Sequence, residues 1–163
     1  MINNKKGFTL VELLVVIAII GLLSTLAVVA LNNARQKSRD ARRVADIKQV
    51  QTALEMYYND RNGYPPAAQL VAGYCPNSGG EAALASEMSG CCLDDSATGI
   101  VDVCGAGVAY MNVIPDNPNP NGAEYLYSQT AASTYNIAYS LEGITGGIPA
   151  AGHIATPAGI ANP

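Results

Sequence analysis

Residues 13–31 form an uninterrupted run of 19 in which only Gly21, Ser24 and Thr25 dilute the aliphatic side chains. Across residues 8–34 the one formally charged group is Glu12. At about 1.5 Å per residue, a helix over that run is roughly 28 Å long, close to the hydrocarbon thickness of a bilayer. A soluble helix of this length carries a polar stripe, and this one has none. The run is also too long for a secretory signal core, and no A-x-A-like cleavage site follows it. The segment is therefore read as a membrane span. A carboxylate one turn into such a helix costs about 2.5–3.5 kcal/mol unless it is paired or faces other protein. Glu12 is thus a functional candidate, and its natural partner is a cation at the same depth. The helix itself offers none after Lys6.

The 163 residues suit a single modest core. Charged residues make up 13%, half the usual share of about 25%, which argues against both a disordered chain and a nucleic-acid binder. The net charge of −4 hides a division. All nine Lys and Arg precede residue 62, where five acidic groups leave a balance of +4. Residues 62–163 carry eight acidic groups and no basic ones, a balance of −8. Such a division fits one part of each copy meeting the other part of a neighbour.

Lys5-Lys6-Gly7-Phe8-Thr9-Leu10-Val11-Glu12, followed by the apolar run, resembles the class III signal of the type IV pilin superfamily. The resemblance implies that residues 1–7 are a leader cut off between Gly7 and Phe8 by a prepilin peptidase, which then N-methylates Phe8. Residues 8–34 become a transmembrane helix that moves into a filament core. In that setting Glu12 pairs with the terminal amine of an adjacent subunit, which neutralises a buried charge and sets the axial stagger. Many relatives have a proline within the apolar half, whereas here Gly21 is the one intrinsic weak point. The cluster Arg35, Lys37, Arg39, Arg42 and Arg43 just beyond the span opposes this orientation by the positive-inside rule. The leader motif and the cysteines are given more weight.

No proline occurs before residue 65. Val44, Ile47, Val50, Leu54 and Tyr57 or Tyr58 recur at three- and four-residue steps, so the helix is expected to continue through an amphipathic segment, 35–62. Residues 59–66 end it, with Gly63 as the expected left-handed cap and Pro65-Pro66 barring continuation. An unbroken helix from residue 8 to 62 would be about 82 Å long and would have to protrude from a domain of this size. The basic cluster has three readings: a solvated face, a contact with lipid headgroups, and, preferred here, a contact with a neighbour's acidic domain.

The globular domain is expected over residues 63–163. Residues 67–107 read as an irregular, disulfide-bearing loop region with a short helix near 81–88. Cys75, Cys91, Cys92 and Cys104 lack zinc or thioredoxin spacing and read as two bridges, in either order but not Cys91–Cys92. Strand signals fill about 107–141. The clearest is 134–141, where Tyr135, Ile137, Tyr139 and Leu141 alternate with polar or small residues and would pack on the helix stripe. Residues 143–163 read as an uncharged tail. The fold class is thus α+β and pilin-like, a long N-terminal helix packed distally on a small antiparallel sheet.

Asp116, Asn117, Asn119, Asn121 and Glu124 are candidate calcium ligands, since loops near this place bind calcium in some secretion pseudopilins. Their spacing matches no EF-hand, and a proline-rich turn is the simpler reading. No other metal or cofactor is expected. With one histidine, no nucleophile–base pair and no phosphate-cradling loop, no enzymatic activity is expected either. The resemblance implies a type IV pilin, serving adhesion, twitching motility or DNA uptake. The four cysteines and uncharged tail favour it over the alternative, a periplasmic pseudopilin of type II secretion. Implied partners are further copies of the chain, prepilin peptidase, an assembly ATPase with its platform protein, and the inner membrane before assembly. A reading from another class is a single-span anchored binding module that keeps residues 1–7.

Overall fold

The computed structural model describes residues 7–66 and 88–161, divided into one compact unit up to Gln36 and a second from Lys37 onward. One helix, α1 (Leu10–Arg61), contributes to both.

In the first unit α1 is capped by Thr9, one residue after Phe8. Among the described residues, α1 is the one helix long and apolar enough to cross a membrane. The two hydroxyls within the apolar run turn back onto the helix, Ser24 donating to the Ile20 carbonyl at 2.7 Å and Thr25 to the Leu22 carbonyl at 2.8 Å. That leaves no side-chain donor seeking water at membrane depth. The helix runs through Gly21 without a break.

In the second unit α1 becomes one-sided. Ile47, Val50, Ala53, Leu54 and Tyr57 are buried at helical spacing and form one core with the sheet residues. The helix stops because Asn62, at φ 57°, takes the left-handed conformation and donates its amide to the Tyr58 carbonyl at 2.7 Å. This closes the last turn in the αL manner. Asn62 thus does the work expected of Gly63, its short amide side chain tolerating the left-handed region.

Two antiparallel sheets follow. The smaller has the order β2-β1-β3, from β1 (Cys92–Asp94), β2 (Ile100–Val101) and β3 (Ala109–Met111). It brings order to the described part of the region expected as irregular loop; the short helix expected near 81–88 falls almost wholly outside the described residues. Gly99, at φ +70°, seats the β1–β2 turn on the helix end. A Cβ there would lie 2.7–2.9 Å from Pro65 and Tyr57.

The larger sheet has the order β4-β5-β6-β7, from β4 (Leu126–Ala131), β5 (Thr134–Ser140), β6 (Gly152–Thr156) and β7 (Gly159–Ala161). Tyr127 pairs with Ile137 and Ile137 with Ala155, all three buried; Tyr139 pairs with His153 on the same face. Tyr135, Ile137, Tyr139 and Leu141 are buried as their alternation predicts. The segment 143–163 is not a plain tail, since it supplies two of this sheet's four strands. Its strands are short and rich in Gly and Ala, so their alternation carries little hydrophobic contrast to read in advance.

Candidate assembly site

Most of the described surface of the first unit is apolar. Phe8 is 82% exposed, and Leu10, Ile17, Leu22, Leu26 and Val29 are each more than half exposed. Exposed apolar surface of this extent marks a face meant for lipid or for other protein.

Glu12 is not bare within it. Its Oε2 accepts from the Thr9 amide at 2.9 Å and the Thr9 hydroxyl at 2.7 Å, while the Glu12 amide donates to Thr9 Oγ1 at 3.2 Å. This is a reciprocal capping box, and the carboxylate lies where the helix dipole favours negative charge. The signal for it, Thr-x-x-Glu ahead of an apolar run, stands in the sequence; Thr9 is the residue that reasoning on Glu12 alone passed over. Gly7 lies just before this cap with open space about it.

In the second unit most of the basic cluster meets its own chain. Arg43 and Asp40 are fully buried and paired at 2.7 Å. Arg43 also reaches Glu142 at 2.7 Å, and Arg39 embraces the same carboxylate through two 2.7 Å hydrogen bonds. Asp40 in turn accepts from the Glu142 and Gly143 amides at 3.0 and 2.8 Å. Arg39 is the main cause holding the Glu142 carboxyl down to about 2; burial opposes it, and Arg43 and Asn121 add to it. Arg42 makes only a loose 3.8 Å pair with Asp46. The preferred reading of the cluster as a contact with a neighbour therefore does not hold for Arg39 and Arg43. Arg35 and Lys37 are exposed.

The calcium candidates do not gather into a metal site. Asn117 turns its Oδ1 to Arg43 Nε at 2.7 Å, and Asn121 donates to Glu142 at 3.1 Å. Asp116 and Asn119 are exposed and Glu124 is half-buried. No group of three or more His, Cys, Asp or Glu among the described residues could hold a metal. Calcium takes six to eight oxygens, and the residues present do not fit it.

Cys92 and Cys104 form a disulfide with their Cα atoms 5.4 Å apart, which ties β1 to the β2–β3 connection. One of the two pairings left open by the sequence contains this bridge. Cys91 is also disulfide-bonded, and Cys75 lies outside the described residues.

This combination defines a pilin-like α+β protein: an apolar N-terminal helix with a carboxylate in its first turn, continuing as the spine of a disulfide-stapled sheet domain. Comparison with known proteins places its N-terminal segment more closely. Residues 2–28 match the family model described as the prokaryotic N-terminal methylation motif. The chain is 42% identical over 66 residues to the type II secretion system core protein G of Pectobacterium carotovorum subsp. carotovorum, covering 40% of this chain and 42% of that protein. The same protein of Aeromonas hydrophila is 42% identical over 67 residues, covering 41% of this chain and 47% of its own length. The type IV major pilin protein PilA of Myxococcus xanthus (strain DK1622) is 29% identical over 76 residues, covering 47% of this chain and 34% of its own. The match thus spans less than half the length of these relatives. No solved structure gives a significant match. Residues 2–28 thus carry the prokaryotic N-terminal methylation motif, and the chain is similar in part to core protein G of type II secretion systems and to a type IV major pilin.

Proposed function

We propose that this chain is a non-catalytic structural subunit of a helical filament, held in the membrane by α1 until its leader is removed and then extracted into the polymer. The observation that carries this reading is the exposed apolar half of α1 with a single carboxylate in its first turn. In lipid the apolar side chains gain little from meeting one another, so packing and polar pairs direct assembly. A new amine at Phe8 of one subunit offers Glu12 of the next a stronger partner than Thr9, because it carries full positive charge. Prepilin peptidase, an assembly ATPase and its platform protein are the partners this route requires.

Among filaments, the pseudopilus of a type II secretion system is preferred, in place of the surface pilus that the cysteines and the supposed tail favoured. The greater identity to core protein G supports this, and residues 152–161, being sheet, no longer count as a tail in favour of the pilus. The likeness to PilA supports a surface pilus as the second reading.

The test is mass spectrometry, without reduction, on protein from membranes and from material sheared off cells at native expression. A chain beginning at methylated Phe8, confined to membranes and needed for secretion of exoproteins, supports the pseudopilin. The same mature chain recovered in sheared filaments supports the pilus. An uncut chain in cells that possess the peptidase would refute both and leave the anchored module.

A further inference from the structure

The side chain of Arg43 makes four contacts to oxygen from three separate stretches of chain. Nε donates to Asn117 Oδ1 at 2.7 Å. Nη1 donates to Asp40 Oδ1 and Glu142 Oε1, both at 2.7 Å, and Nη2 to the Pro118 carbonyl at 2.8 Å. Two carboxylates, a side-chain amide and a main-chain carbonyl are the donor set of a hard metal cation. Here a guanidinium lies at its centre, fully buried. The loop 115–122 is shaped to it. Gly122, at φ +111°, comes so close that a Cβ would lie 2.6–2.8 Å from the guanidinium atoms.

We propose that Arg43 is the permanent structural cation of this loop, so that the chain folds and assembles without calcium at the loop whose oxygen-bearing side chains made it a calcium candidate. The guanidinium stays charged at any physiological pH and its planar fork reaches several oxygens at once. Asp40 and Glu142 supply two negative charges at the guanidinium, and Arg43 with Arg39 balances them. A cation tethered to the backbone cannot be lost to chelation or to a calcium-poor medium. The inference holds for either filament, so its failure would leave the proposed function standing.

The test uses the full chain in detergent micelles, with thermal unfolding followed by near-ultraviolet circular dichroism. The wild type is expected to melt at the same temperature in millimolar calcium chloride and in excess EDTA, and to bind no calcium in equilibrium dialysis. Arg43→Ala is expected to melt lower and to recover in part with ethylguanidinium. Arg43→Lys is expected to stay low, because one ammonium cannot reach all four oxygens. A wild-type melting temperature that rises with calcium, or stoichiometric calcium binding, overturns the proposal. So does an Arg43→Ala chain that melts like the wild type. Should Arg43→Ala fail to fold, the two wild-type measurements decide alone.

Discussion

Glu12 and Glu142 are both carboxylates, and their surroundings separate the two units of the molecule. Among the described residues Glu12 is held by Thr9, three residues away on its own chain. Glu142 has two guanidinium groups and an amide, brought from as far as 103 residues away. Among the described residues the first unit holds Glu12, Ser24 and Thr25 by local hydrogen bonds and leaves its apolar surface open; the second buries an apolar core and pairs Arg39 and Arg43 with Asp40 and Glu142 inside itself. A local cap can be exchanged for a better partner at little cost, whereas a buried network cannot be opened without loss of the fold. On the proposed function, the first unit is the part that changes surroundings, from lipid to polymer, and the second the part that remains constant while it does.

The sharpest way to break this comparison is Glu12→Val. It should reduce assembled filament at least tenfold, read by immunoblot of the assembled fraction, while membrane insertion and the near-ultraviolet dichroism of the second unit stay unchanged. A stranded amine in a buried pair costs about 3–5 kcal/mol, ample for that loss. An assembled yield like that of the wild type would remove Glu12 from the assembly site.

Truncation at equivalent helix positions should divide the units next. Leu54→Ala leaves a cavity in the shared core and should cost about 2–5 kcal/mol in denaturant unfolding. Leu22→Ala removes the same atoms from an open surface and should leave that unfolding free energy unchanged. Replacing Cys92 and Cys104 together by serine should cost about 3 kcal/mol by the loop-entropy estimate, again read in the second unit alone.

The smallest effect concerns pH. Glu142 has its folded carboxyl lowered from 4.5 to about 2. Its folded state thus favours the ionised form, and the stabilisation is complete above 4.5 and lost as pH falls toward 2. Glu142→Gln should flatten the acid limb of the stability curve within that window, with less change in slope above it. An unchanged acid limb would mean that Arg39 and Arg43 do not hold this carboxylate in solution.

What could be read from the sequence is what repeats over short distances. The apolar run, the carboxylate within it, the helix stripe from Ile47 to Tyr57 and the alternation of Tyr135, Ile137 and Tyr139 are local patterns, and each stands in the structure where its period puts it. Thr9 was equally legible, in the spacing of a capping box. The tertiary structure alone decided what depends on distant partners. It turned two arginines of an apparent basic patch inward to Glu142, put one of them where calcium was a candidate, selected Cys104 for Cys92, and drew residues 152–161 into the main sheet. The physical reason is the same in each case. A period along the chain fixes which face a residue occupies, but a charge, a thiol or a small strand residue acquires its role only from the group that folding sets against it.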